Sequence, residues 1–208
     1  KMSGQSLLER IEHSGAAVFP DVEGKTVLVR FDFNVPIEFP DSCLGPHCEI
    51  EGADDYRLKK ALPLIKILLH QNCKIVIISH LGRPDGKFDP KLSLEPVAQR
   101  LADLLKKPVK FVDSTIGNGV KQAINKAKAG EILVLENLRF EPGENQNNDE
   151  FAAQLAKIAD VFIQDAFAVA HRTHASTDRI AQHIKSYVGP LVMTEIEELE
   201  EVASNPTH

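Results

Sequence analysis

The chain has 208 residues and a formal net charge of −6, from 24 Lys and Arg against 30 Asp and Glu. This length suits one large domain with a substantial core, and the acidic balance argues against nucleic-acid binding through net charge. The chain has three cysteines, which are too few for a disulfide framework and cannot all pair. No apolar run approaches the roughly 18 residues of a membrane span. We therefore expect a cytoplasmic protein that binds neither nucleic acid nor a membrane.

Strands and helices are predicted to alternate along the chain. Strands are nearly continuous apolar runs, and helices repeat apolar residues at three- and four-residue steps. The predicted elements are a helix at 3–13, a strand at 27–33, a helix at 57–71, a strand at 74–80, a helix at 94–106, a strand at 109–113, a helix at 120–128, a strand at 131–137, a helix at 149–159, a strand at 161–167 and a helix at 192–202. Continuous apolar strands are typical of parallel sheets. The sequence predicts an α/β fold, a Rossmann-like, doubly wound, mainly parallel sheet with helices on both faces.

Single residues suggest local features within this framework. Pro63 falls inside a predicted helix and should bend it. Ser93 is expected to cap the next helix, with Pro96 in its first turn. The polar run at 141–148 is predicted to be a turn or loop. Cys73 is expected to be a small core residue at the start of a strand.

Two familiar ligand motifs are missing from the sequence. There is no G-x-x-x-x-G-K-[ST] loop, and Gly117 and Gly119 lack the third glycine of a dinucleotide fingerprint, so we interpret them as a turn before a helix. Cys43, His47 and Cys48 lie in a proline-bearing loop without the paired pattern of a tetrahedral metal site. We therefore expect no metal site and no cofactor site in this chain, and the role of the 38–52 loop stays open.

Arginines follow the predicted strands. Four of the five strand ends supply one: Arg30, Arg83, Arg139 and Arg172. In an open parallel sheet the carboxyl ends of the strands meet at one edge, where ligands bind. Guanidinium groups match phosphate and carboxylate oxygens bidentately, so this pattern predicts a site for a compact anion. Whether Arg30 faces this site or packs away from it stays open, since it alternates with Asp32 along an extended segment.

Smaller groups at the same edge fit an anion with hydroxyl groups. Asp32 and Asn34 are two residues apart on an extended segment and so face the same side. They are suited to holding substrate hydroxyls, although Asp32 could equally cap or brace an arginine. Gly82 lets the backbone approach a ligand closely.

Five segments resemble, in order and spacing, the N-terminal domain of the phosphoglycerate kinase family. They are VRFDFNVP (29–36), DDYRLKKALPLI (54–65), SHLGRP (79–84), LENLRF (135–140) and DAFAVAHRTHAS (165–176). The resemblance implies that residues 1–203 form the phosphoglycerate-binding domain of a bilobal kinase, that 204–208 begin the interdomain linker, and that the C-terminal nucleotide-binding domain is absent from this chain. The resemblance implies that the intact enzyme would be a cytoplasmic monomer that acts in glycolysis. It would transfer a phosphoryl group between 1,3-bisphosphoglycerate with ADP and 3-phosphoglycerate with ATP, and Mg-ATP or Mg-ADP would be held by its own C-terminal domain.

The resemblance also implies roles for individual residues. Arg57 would be catalytic, steadying the transferring phosphoryl group, because such transfer depends on positioning and cationic stabilisation. The residues implied to bind the substrate are Asp32, Asn34, Arg57, His80, Leu81, Gly82, Arg83, Arg139 and Arg172. This chain alone is expected to bind 3-phosphoglycerate without turning over.

The sequence departs from the family pattern at three places. The family usually has glycine where Ala168 and Arg179 stand, and both changes could shift the loop that carries Arg172. The connection at 36–54 is longer than usual in the family.

The alternative function is a stand-alone anion-binding regulatory module without transferase activity. An oxidoreductase of Rossmann-like fold is disfavoured by the missing fingerprint.

Overall fold

The computed structural model describes residues 22–35, 55–170 and 172–204, with side chains up to residue 198. The predicted helix at 3–13, the 38–52 loop with Cys43, His47 and Cys48, and residues 205–208 lie outside the described residues. No helix in the described part is long and apolar enough to cross a membrane.

The described residues form six strands, seven α-helices and three short 3₁₀ turns. The strands are β1 (Thr26–Arg30), β2 (Lys74–Ile78), β3 (Val109–Val112), β4 (Ile132–Leu135), β5 (Val161–Gln164) and β6 (Ser186–Val188). The helices are α1 (Tyr56–His70), α2 (Glu95–Leu105), α3 (Asn118–Lys126), α4 (Pro142–Asn145), α5 (Asp149–Ala156), α6 (Phe167–Ala170) and α7 (Pro190–Ser204). The 3₁₀ turns are Pro90–Leu92, Leu138–Phe140 and Arg179–Gln182.

All six strands belong to one parallel sheet in the order β3-β4-β2-β1-β5-β6. Alternate residues of the central strands enter two separate apolar cores. Val27 and Val29 of β1 pack on the side covered by α1 and α2. Leu28 packs on the opposite side, with α3 and α5. Because both faces are covered, the central strands are apolar at almost every position, and the predicted doubly wound parallel fold is confirmed.

The central strands are shorter than predicted at their carboxyl ends. Beyond Arg30, the residues Phe31 and Phe33 stay buried although they follow the end of β1, and their rings stack at 5.3 Å between centroids. Ser79 ties the ends of β1 and β2 together, since its Oγ accepts from the Phe33 amide and donates to the Phe31 carbonyl, both at 2.9 Å. The apolar pattern therefore continues past the end of the strand.

Several local predictions need correction. The run at 141–148 contains the helical turn α4, so the prediction of a turn or loop is wrong there. Helix α2 begins at Glu95 with Leu94 at its N-cap, although Ser93 Oγ still accepts from the Glu95 amide at 3.2 Å. The edge strand β6 was not predicted.

The predictions for Gly117 and Cys73 are confirmed. Gly117 precedes α3 with a φ of +98°, while Gly119 lies within the first turn of that helix rather than before it. Cys73 is fully buried in the first core. Pro63 lies inside α1, and the bend expected there stays a prediction.

Candidate anion-binding site

The four strands that carry the predicted arginines are neighbours in the sheet. The order β4-β2-β1-β5 is continuous, and parallel pairing brings their carboxyl ends to one edge. The loops after these strands therefore converge, as predicted for an open α/β sheet.

Arg30 lies behind this edge, in the protein interior. Its side chain is 1% exposed. Its Nε donates to Ser176 Oγ at 3.1 Å, and its Nη2 lies 2.9 Å from His80 Nδ1. Burial lowers the pKa of Arg30, and the nearby charge of Glu144 opposes that effect. The question left open by the sequence is thus answered: Arg30 braces the site from within.

His80 is held as a neutral ring. A guanidinium group can only donate, so Nδ1 of His80 accepts from Arg30 and the ring proton lies on Nε2. Burial lowers the pKa of His80, and the positive charges of Arg30, Arg139 and Arg172 lower it further. His80 therefore presents an N–H donor without adding a charge.

Arg83 and Arg172 both lie close enough to Arg139 for their charges to act on it, and these three residues are hereafter the arginine cluster. Burial lowers the pKa of Arg139, and the charges of Arg172 and Arg83 lower it further, which places both within Coulombic range of Arg139. Arg139 is nearly buried, Arg172 is half-buried and Arg83 is exposed. None of the three forms an ion pair within the described residues, whereas Arg57 and Arg100 each bind a carboxylate.

The polar residues after β1 contact the loop after β2. Asn34 Oδ1 accepts from the Gly82 amide at 2.9 Å. Asp32 accepts from the Asn34 amide at 3.1 Å and also from Nη1 of Arg57. Of the two roles considered for Asp32, the structure shows the bracing of an arginine.

Leu81 and Gly82 use their peptide groups inside the protein. The Leu81 side chain is part of the first core, and its amide and carbonyl both bond to Asn137. The Gly82 carbonyl accepts from Arg139 Nη1 at 2.6 Å. These two residues thus lie at the predicted edge, where they shape the loop that carries Arg83.

Arg57 lies to one side of the arginine cluster. It is in the first turn of α1 with its side chain 43% exposed. It lines a cleft of about 400 Å³ together with Asp32, Lys60 and Asp165. Asp32 lies between this cleft and the arginine cluster, since it lines the cleft and its charge also acts on Arg139.

Glu144 is a buried counter-charge that sequence reasoning missed. Its carboxylate accepts from the Ser176 amide at 3.0 Å and from Ser176 Oγ at 2.6 Å, and it lies 3.9 Å from His174 Nδ1. Burial lowers the pKa of His174 while Glu144 opposes the change. Glu144 therefore fixes the segment that follows Arg172. The sequence holds one indirect signal for Glu144: a guanidinium group that is buried needs a carboxylate nearby, and several guanidinium groups are predicted at this edge.

The two departures from the family pattern near this segment cause no backbone strain. Ala168 lies in α6 and Arg179 begins a 3₁₀ turn. Neither is among the residues with positive φ, so the conformation is one that any L-residue adopts. The long connection at 36–54 lies outside the described residues.

The fold and this edge define a doubly wound α/β domain with a cationic cluster at the carboxyl ends of its strands. A family model described as phosphoglycerate kinase matches residues 18–208. The chain belongs to the phosphoglycerate kinase family, and the resemblance carried by the five segments is confirmed.

Curated relatives and solved structures agree with this assignment. The phosphoglycerate kinase of Fervidobacterium nodosum is 46% identical over 186 residues, which cover 89% of this chain and 44% of that protein. That of Pelotomaculum thermopropionicum is 41% identical over 186 residues, covering 89% and 45%. The structure of the Coxiella burnetii phosphoglycerate kinase matches with a TM-score of 0.75 at 34% identity, over 90% of this chain and 44% of that one. The Pyrococcus horikoshii structure gives 0.76 at 28%, over 90% and 45%. The chain thus spans less than half the length of these relatives.

Proposed function

We propose that this chain is the substrate-binding half of a phosphoglycerate kinase and that the arginine cluster binds 3-phosphoglycerate or 1,3-bisphosphoglycerate. The observation that carries the proposal is the absence of ion pairs at Arg83, Arg139 and Arg172 within the described residues. Unpaired guanidinium groups held close together repel one another, and a phosphate or carboxylate dianion relieves that repulsion.

The remaining site residues fit the uncharged and transferring parts of the ligand. Asn34 and the Nε2–H of His80 offer neutral hydrogen bonds for glycerate oxygens. Arg57 stands apart, where it can exchange its contact with Asp32 for the phosphoryl group in transit. Its role is catalytic in the sense that it stabilises charge on the transferring group. The attacking substrate carboxylate is ionised at neutral pH, so no general base is required.

The rest of the proposal concerns the intact enzyme. Residues 1–203 form the substrate domain and 204–208 begin the linker to a nucleotide-binding domain that holds Mg-ATP or Mg-ADP. Closure of the two domains brings the phosphoryl donor to the acceptor and excludes water. The enzyme acts in glycolysis as a cytoplasmic monomer, and this chain alone does not turn over.

Calorimetric titration of 3-phosphoglycerate into the purified chain tests the site. We expect saturable binding that weakens at least tenfold in Arg83→Ala and in Arg172→Ala, because a charge-assisted hydrogen bond contributes roughly 1.5–3 kcal/mol. Lys121→Ala is the control, since Lys121 is an exposed cation on α3, outside the site. The site is refuted if the chain does not bind 3-phosphoglycerate, or if Arg83→Ala and Arg172→Ala both bind it as tightly as the parent does.

A turnover assay separates the proposed function from the regulatory module. The chain is assayed for ATP formation alone and after addition of the separately produced C-terminal half of a relative. We expect no turnover alone and restored turnover in the mixture, which Arg57→Ala abolishes with little change in 3-phosphoglycerate affinity. Binding without restored turnover would favour the module.

A further inference from the structure

The loop after β2 carries Arg83, and its conformation depends on one buried amide from the end of β4. Asn137 is 0% exposed. Its Oδ1 accepts from the Leu81 amide at 3.3 Å and from the Arg139 amide at 3.0 Å. Its Nδ2 donates to the Leu81 carbonyl at 2.7 Å and to the Leu92 carbonyl at 2.9 Å. Both donors and both acceptor positions of the amide are therefore in use.

These bonds join two members of the arginine cluster. Leu81 is two residues before Arg83, and the Arg139 amide is bonded directly. Between them, the Gly82 carbonyl accepts from Arg139 Nη1 at 2.6 Å, and the Arg139 carbonyl accepts from the Gly86 amide at 3.1 Å. The loop after β2 and the turn after β4 are thus held as one unit, with Asn137 at its centre.

The loop packs closely against Leu92 at Gly82. Gly82 has a φ of +60°, and a Cβ added there would lie 2.6 Å from Leu92 Cδ2. Leu92 is itself one of the carbonyl partners of Asn137. A shift at Asn137 is therefore passed to the backbone on both sides of Gly82.

Only a primary amide at position 137 satisfies all four backbone groups. A carboxylate would place an oxygen against the Leu81 and Leu92 carbonyls, and an apolar side chain would leave buried peptide groups unpaired. We infer that Asn137 is a positioning residue that sets the spacing of Arg83 and Arg139, and thereby the affinity of the site for its phosphorylated ligand. This inference rests on the proposed function, because the affinity concerned is that for 3-phosphoglycerate.

The near-isosteric variant Asn137→Asp tests the inference in the full chain. Binding of 3-phosphoglycerate is measured by calorimetry, and the hydrogen exchange of the Gly82 and Arg83 amides is measured by NMR without ligand. We expect at least tenfold weaker binding, equivalent to about 1.4 kcal/mol, and at least tenfold faster exchange at Gly82. Asp160→Asn is the control, because Asp160 accepts from the Thr26 amide at 2.8 Å at the amino ends of β1 and β5, the ends opposite the site. It should leave both readouts unchanged.

The outcomes separate this inference from the proposed function. If the parent chain fails to bind, the proposed function fails, and the inference about affinity fails with it. If the parent binds and Asn137→Asp binds equally well, the inference is overturned whether or not Gly82 exchanges faster. If Asn137→Asp does not fold, Asn137→Ser carries the same test, since a hydroxyl has a single donor and leaves at least one of the two carbonyls without a partner. Parent-like binding by that variant likewise overturns the inference.

Discussion

Asp165 provides a test of how burial controls ionisation in this fold. It follows β5 directly and is 2% exposed. Its Oδ1 accepts from the Leu191 amide at 2.8 Å and from the Val192 amide at 3.4 Å, at the start of α7, while Oδ2 is buried without a hydrogen-bond partner. Burial raises the pKa of Asp165 from 3.8 to about 7, although both amides act in the opposite direction.

The perturbation is Asp165→Asn, which keeps the shape and removes the ionisation. A carboxyl whose folded pKa lies above its unfolded value stabilises the fold fully below pH 4, and that contribution is lost as the pH rises towards 7. The pKa difference of about 3 corresponds to roughly 4 kcal/mol, since each pKa unit is worth about 1.36 kcal/mol. The stability of Asp165→Asn relative to the parent should therefore increase by up to roughly 4 kcal/mol between pH 4 and pH 8.

Urea unfolding at a series of pH values measures this difference. Comparing the two proteins at each pH cancels the titration of groups that they share. The exposed Asp160→Asn serves as a control for the loss of a carboxylate at the surface. A difference that stays constant from pH 4 to pH 8, or one that falls with rising pH, would refute the assignment of a buried, protonation-sensitive carboxyl.

Three further predictions concern the site itself. The ¹⁵N spectrum of His80 should show a neutral ring protonated on Nε2 from pH 5 to 8, and a midpoint near 6.5 would contradict its burial among cations. Glu144→Ala removes two bonds to Ser176 and should lower the free energy of unfolding by about 3 kcal/mol, measured in urea; a loss below about 0.5 kcal/mol would show that Glu144 is not needed. Gly82→Ala should cost about 1–2 kcal/mol from its left-handed backbone alone, plus the contact with Leu92, and an unchanged thermal midpoint would contradict that strain.

The fold was accessible from the sequence because its strands are buried on both faces. Leu28 and Val29 enter opposite cores, so apolar residues run without interruption and indicate a parallel sheet. The same rule misplaced the strand ends, because Phe31 and Phe33 are as apolar as strand residues. Strand β6 has three residues and an exposed Val188, so it carries no comparable pattern.

The site was predictable in its composition but not in its internal contacts. Arginines at neighbouring strand ends gave the cationic edge. The burial of Arg30 depends on Ser176, which is distant in sequence, and no local pattern encodes that contact. Glu144 lies in a polar run that is typical of a loop, so its burial follows from tertiary packing alone. Asn137 belongs to a recognised segment, yet its four bonds appear only when the two loops meet.

A crystal structure of the chain with 3-phosphoglycerate at saturating concentration tests the central claim most directly. The account predicts ligand density at the carboxyl ends of β1, β2, β4 and β5, with phosphate or carboxylate oxygens at about 2.7–2.9 Å from guanidinium nitrogens of Arg83, Arg139 and Arg172. Density bound elsewhere on the domain, or contact with only one of these arginines, would contradict the convergence of separate strand ends on a single anion.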